Sequence, residues 1–500
     1  MKTEANHIVV SHLLRCGLAL LILTCAVNGA LQDGGDKPSK DKDTKAASEE
    51  QDDRITAIVN GDVHTVTNGV MRRATVLIEG DKIKAVGTDV EVPEDAEIID
   101  ASGMVVTPGF ISMRMSRVGI SSRSGSREKP EDLLDPFDSD VKLALAVGIT
   151  TGCLQVSGRR SSFRRRSEDG LYPGLDPDVP SIVESFDNHN PDFGDPNTAL
   201  CPCCGLPILP TEPITEPKPQ PIAPQKDVVI KMSAGELDGM LLSSEAFFNV
   251  TSGALQGATN KKQWRETIQK AREYLKAAEA HKKKTAAGEK DRPPRKPVSD
   301  EVLRLVQREI PLRISADSVT SIREMIELAE ELEYDLVIDS AIEGWVIPDE
   351  LARAGISVVI TPRRRRQPEL AREDVSGSSI ELSGTLEQSG VPFAVAPLSS
   401  SISLNGLAGR DLTSLPLEAA FAVRGGCSNT TALEALTIVP ARMLKLQDRI
   451  GSIEPGKDAD LLILNGQPLD YRTYVETALV NGSVVYVRSK DRVLPVYYDR

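Results

Sequence analysis

Val105–Arg117 reads VVTPGFISMRMSR. An apolar pair, Val105-Val106, runs into Pro108-Gly109, a dipeptide that breaks one strand and frees the chain to start another. Phe110, Ile111, Met113 and Met115 then mark a short strand, with Ser112, Arg114 and Ser116 at the alternate positions. The alternation predicts a short buried strand.

Outward from it, the N-terminal side is written in short alternating runs. Ile55–Val59 ends at Asn60-Gly61, Val63–Val66 at Asn68-Gly69, Ala74–Glu79 at Gly80-Asp81 and Ile83–Val86 at Gly87. These dipeptides between strand-like runs are hairpin punctuation. Arg449–Gly456, Ala459–Leu464 and Thr477–Val487, with its Asn481-Gly482 turn, have the same texture. Two β-rich ends around a long middle predict one β domain assembled from both termini. The middle alternates strands and helices: Ile310–Ala316 and Asp335–Ser340 read as strands, and Ile322, Met325, Ile326, Ala329 and Leu332 recur between them at helical spacing. Gly355–Thr361 and Gly390–Ala396 continue the series, and Pro440 splits or kinks a helix over Leu433–Leu446.

The chain has 500 residues, enough for a barrel-sized core and a smaller domain. Lys2, Arg15 and the apolar run Gly17–Val27 predict an export signal over residues 1–30. Lipidation at Cys25 is the less favoured option, because Ile22-Leu23-Thr24 makes a poor lipoprotein box. No later run is long enough to span a bilayer. Residues 31–53 are polar and charged and read as a linker. The net charge of −14, from 59 basic and 73 acidic residues, argues against nucleic-acid binding.

The Pro-Gly-Phe-Ile opening at 108–111 resembles the amidohydrolase superfamily, in which that strand ends in an Asp and a His pair that grips a metal. The C-terminal stretch Gly451–Asp460 (GSIEPGKDAD) with Leu461–Leu464 resembles the imidazolonepropionase-like and prolidase-like branch. The resemblance implies an α/β fold: a TIM-type (β/α)8 barrel with a composite β-sandwich built from both chain ends. On it, residues 54–106 and 438–500 form the sandwich, with a helix. Residues 107–437 form the barrel, with insertions near 159–225 and 255–305. It also implies zinc or a similar divalent ion, and hydrolysis of a carbon–nitrogen bond.

The positions where the family carries its ligands hold other residues here. The His pair of the first strand is Arg114 and Ser116. The fifth strand reads Ile314-Ser315-Ala316-Asp317 and the sixth Val337-Ile338-Asp339-Ser340, leaving Ser315 and Ser340 at the expected His positions. No acidic residue lies between Gly390 and Asp411 to take a proton from water. A serine hydroxyl is a weak neutral ligand, and a guanidinium repels a dication. The expected cofactor is therefore none. Lys231, in VVIKM, resembles the position of a carbamylated lysine, and Glu236 and Asp317 are the other acid–base candidates. Alternation places Asp339 opposite to Ser340, in the barrel wall.

Arginines follow several strands: Arg114 and Arg117, then 159–166, then Arg363, Arg364, Arg365 and Arg366. The segments after the strands of such a barrel gather on one face, so these predict an arginine-lined mouth suited to sulfate, phosphate or carboxylate. The other reading is solvated loop arginines paired with nearby acids. Cys201, Cys203 and Cys204 with His189 make a partial zinc-ligand set, and local disulfides are equally open. The functional expectation is an exported, catalytically degenerate protein that binds a small molecule or an anionic glycan. The alternatives are an active hydrolase and a structural partner in an exported assembly.

Overall fold

Pro108-Gly109 is the hinge between two sheet systems. Before it, Val105–Pro108 pairs antiparallel with Leu461–Leu464, in the register Val105↔Leu464 and Pro108↔Leu461. After it, Phe110–Met115 enters a different sheet. Glycine is required at the crossing, because a Cβ on Gly109 would lie 1.8 Å from Thr150 Oγ1. The computed structural model describes residues 54–120, 129–156, 226–288, 292–400 and 414–491. The expected signal and linker, Arg159–Arg166, and the Cys201, Cys203, Cys204 and His189 cluster lie outside the described residues.

The sheet before the hinge has eight strands drawn from both chain ends. Ile55–His64 pairs with Val70–Glu79, which pairs with Lys82–Gly87. Leu461–Leu464 and Val475–Val480 carry the order to Ser483–Val487. The two termini are thus one sheet-rich domain.

Besides the short Leu241–Ser243, which pairs antiparallel with Lys226–Lys231, eight further strands carry the middle of the chain after the hinge. They are β1 (Phe110–Met115), β2 (Ile149–Val156), β3 (Lys226–Lys231), β4 (Phe248–Val250), β5 (Leu312–Ala316), β6 (Leu336–Ser340), β7 (Ser357–Ile360) and β8 (Phe393–Val395). β4 to β8 form one parallel sheet in sequence order. β1 and β2 are parallel, but β3 runs antiparallel to β2, with Thr151 opposite Lys231 and Val156 opposite Lys226.

Helices cross between the parallel strands as the periodicity predicts. Val319–Leu332 starts at a Ser318–Ser321 capping box and buries Ile322, Met325, Ile326, Ala329 and Leu332. The charged segment read as an insertion, residues 255–305, is the crossover from β4 to β5. It contains the helix Ala258–Ala286, which buries Trp264, Ile268 and Ala271, and the helix Asp300–Val306.

Strand parity sorts the side chains into two cores. Leu312, Ile314, Leu336, Ile338, Val358, Ile360, Phe393 and Val395 pack with the helices. Residues of the other parity from both sheets, among them Met113, Cys153, Val229, Val337, Val359 and Ala394, share a second cluster. That shared cluster holds the candidate site.

Candidate functional site

Between Met113, Cys153, Val229 and Val337 in that cluster the same strand faces carry ionisable groups. Arg313 on β5, Asp339 on β6 and Asp227 on β3 are all buried. Arg313 donates from Nη2 to Asp339 Oδ2 at 2.6 Å and to the Met113 carbonyl at 2.9 Å, and from Nε to Asp339 Oδ2 at 3.2 Å. Its Nη1 lies 3.6 Å from Asp227 Oδ2 and 3.8 Å from Cys153 Sγ. The guanidinium carbon stands 5.3 Å from the centre of the Phe247 ring.

Arg114 closes the network from β1, donating to the other oxygen of Asp339. Its Nη1 also reaches Thr361 Oγ1 at 3.4 Å and the Pro397 carbonyl at 3.5 Å. Arg114 faces inward because the pairing of β1 with β2 shifts register between Ser112 and Met115. Asn249 on β4 donates its amide to both oxygens of Asp227, at 3.2 and 3.1 Å.

The electrostatics separate the two carboxylates. Burial acts to raise Asp339, but Arg313 and Arg114 outweigh it and hold the carboxyl below the usual range. Burial dominates at Asp227, reinforced by the Asp339 charge and opposed by the 3.6 Å pair with Arg313 and the Asn249 amide, and pushes the carboxyl up to about 6. Burial also raises the Cys153 thiol.

The sequence-derived residues fall as follows. Asp339 was expected in the wall and instead points at two guanidiniums in the interior, because the inward parity of β6 is set by Val337. Ser340 is buried with its Oγ unpaired and its φ at +82°. Ser315 is exposed, and Ser116 bonds Ser400 through its backbone N–H at 2.8 Å. Asp317 is half-buried, with one oxygen 3.8 Å from Arg364.

Lys231 lies elsewhere. The reversed direction of β3 sets it opposite the start of β2, at the seam with the terminal sheet. There its Nζ meets Asp458 at 2.7 Å, Asp460 at 2.9 Å and the Asn481 side-chain oxygen. Glu236 joins a short turn, donating its N–H to the Ser233 carbonyl.

Of the arginine run, Arg363 is bound by the buried Glu418 at 2.7 Å, and Arg366 by the buried Glu343 at 3.1 Å. Arg117 and Arg365 are exposed.

These residues do not suit a divalent cation. Asp227 and Asp339 carry two negative charges against the two positive charges of Arg313 and Arg114, so the buried set is already neutral. Their oxygens are turned to guanidinium and amide donors. Among the described residues no group of three His, Cys, Asp or Glu is placed to hold a metal.

Comparison with known proteins fits this architecture. The amidohydrolase family matches residues 351–496. Over 60 residues the chain is 52% identical to a dihydroorotase of Lactobacillus johnsonii, covering 12% of this chain and 13% of that protein. A dihydroorotase of Geobacter metallireducens is 34% identical over 94 residues, 19% of this chain and 20% of that protein. The matches therefore span an eighth to a fifth of these relatives. The crystal structure of an amidohydrolase from Thermotoga maritima MSB8 aligns with 87% of this chain and 100% of its own, at a TM-score of 0.56 and 23% identity, a likeness of fold. The chain carries an amidohydrolase-family domain within a mixed α/β fold.

Sequence reasoning passed over Arg313 and Asp227. Both are written into strand runs, LRISA and DVVIK, whose neighbours are apolar. An ionisable residue at an inward parity of a doubly buried strand is the signal that would have found them.

Proposed function

We propose that this is an exported protein whose β1–β8 strands close into an amidohydrolase-type barrel that binds a ligand without hydrolysing it. The observation that carries the reading is the Arg114–Asp339–Arg313 chain of ion pairs in the shared interior. A metal-assisted hydrolase needs its inward carboxylates free to ligate or to accept a proton. Here the better-placed one, Asp339, has both oxygens engaged by guanidiniums, which also lower its affinity for a proton. Closure of the barrel is supported by two backbone contacts between the sheets: the Ala246 N–H, just before β4, donates to the Asp227 carbonyl on β3, and the Ser116 N–H, after β1, to the Ser400 carbonyl, after β8.

The ligand we favour is anionic, a carboxylated or sulfated sugar, met by the exposed Arg117 and Arg365 beside the internally paired Arg363 and Arg366. The test is binding of such glycans by the purified protein at low salt, alongside turnover of dihydroorotate, N-acyl amino acids and dipeptides with zinc or manganese added. Binding without turnover is expected. Metal-dependent turnover would overturn the reading in favour of a carbon–nitrogen hydrolase, the alternative that the family match over residues 351–496 supports. Loss of glycan affinity in an Arg117→Ala/Arg365→Ala variant would locate the site.

A further inference from the structure

Arg313 is surrounded as a bound ion is. Four strands other than its own supply its contacts: the Met113 carbonyl from β1, Cys153 from β2, Asp227 from β3 and Asp339 from β6. Only the last two carry charge, and they lie on strands belonging to two separate sheets. Without a cation between them, two buried carboxylates would face one low-dielectric interior, where an uncompensated charge is strongly destabilising. A planar guanidinium can point donors in several directions at once, which a lysine ammonium on a flexible stem does less well.

We propose that Arg313 is a built-in organising cation, doing for these strands the structural work a bound divalent ion would do, so that the folded chain needs no metal. This rests on the non-hydrolytic reading only for its account of why no ion is required. Its corollary is a latent cation site. Removal of the side chain leaves Asp227, Asp339, Cys153 and the Met113 carbonyl around a cavity of guanidinium size. A small cation from solution should enter it.

The full-length protein tests this through its melting temperature. For the wild type, EDTA or o-phenanthroline should leave the Tm unchanged, as should added zinc or manganese. Arg313→Ala should lose roughly 5–10 °C. It should regain part of that loss in millimolar guanidinium, zinc or manganese, with urea at the same concentration giving no recovery. Arg313→Lys, which keeps the charge and loses the fork, should melt between the two. It also serves if the alanine variant does not fold.

A chelator-sensitive wild-type Tm with stoichiometric metal release would overturn the proposal. So would an alanine variant as stable as the wild type or unmoved by every cation, or a lysine variant indistinguishable from the wild type. Turnover by a wild type whose Tm ignores chelators would sink the non-hydrolytic reading and leave the organising cation standing.

Discussion

Lys231 and Arg313 are both fully enclosed cations, and they are satisfied differently. Lys231 sits at the seam between β3 and the terminal sheet, and Arg313 sits among the strands of the middle region. Each is fully enclosed and faces two aspartates. Lys231 is one of several cations at its site: Asp458 also binds Lys82, and Arg449 at 2.8 Å. Asp460 additionally accepts the Asn481 N–H at 2.9 Å. The seam is therefore redundant. The interior is not: among the described residues Asp227 has only Arg313 as a cationic partner, and Asp339 has only Arg313 and Arg114. Redundancy suits a joint that must hold two sheets in register, and a neutral set suits an interior that opens to water only at Arg114 and the edge of Asp339.

The largest expected effect breaks the interior. Asp339→Ala leaves Arg313 and Arg114 facing each other with only Asp227, at 3.6 Å from one of them. Urea unfolding should show a loss of ~3–5 kcal/mol, the cost of leaving a buried charge uncompensated. A loss below about 1 kcal/mol would mean that water or a rotated side chain already neutralises these guanidiniums.

The seam should yield less. Lys231→Met keeps the stem volume and removes the charge, while Asp458 retains Lys82 and Arg449. A loss of about 1–3 kcal/mol is expected, mostly from Asp460. Acid should weaken the seam in one direction. Burial acts to raise the Asp458 carboxyl, but Lys231, Lys82 and Arg449 hold it below its ordinary value. Its stabilisation is thus present above the unfolded carboxylate pKa and is lost as the pH falls through the lower folded value. If Lys231→Met cost as much as Asp339→Ala, the seam would have no redundancy.

Asp227 should run the other way. Its folded pKa, about 6, lies above the unfolded carboxylate value, so the native state binds the proton more tightly. Ionisation costs stability as the pH rises between about 4 and 6, and the full cost is present above that. Asp227→Asn copies the protonated shape. Relative to the wild type, it should gain about 1–3 kcal/mol at pH 7 and nothing near pH 4. Unfolding at the two pH values measures the difference. A variant less stable than wild type at pH 7 would show that the 3.6 Å pair with Arg313 outweighs burial.

The sheet built from both chain ends was legible in the sequence, whereas the interior and the seam around Lys231 were not. The hairpin dipeptides and the GKDAD run mark the strands of that sheet, but no local pattern assigns Asp458, Asp460 and Asn481 to Lys231. The interior escaped because strand alternation was phased from single runs. LVIDS can be read with either Asp339 or Ser340 inward, and the choice depends on which face the neighbouring strands share. Arg114 turns inward only through a register shift against β2, which no local pattern encodes. The direction of β3 was equally hidden. An antiparallel strand has the same composition as a parallel one, yet the reversal carries Lys231 from one end of the strands to the other.

The smallest effect calibrates the comparison. Arg265 on the long crossover helix binds Glu331 through two hydrogen bonds, at 2.6 and 2.7 Å, a closer fork than either buried cation makes. Both side chains are nearly half exposed, so water competes for the same donors. Arg265→Ala should therefore change stability far less than either buried substitution, and less still at high salt. Bond length would then rank these ion pairs wrongly and burial rightly. If instead this substitution cost as much as Lys231→Met, the difference between seam and surface would lie in geometry, and the weight placed on the enclosed carboxylates would have to move to the fork itself.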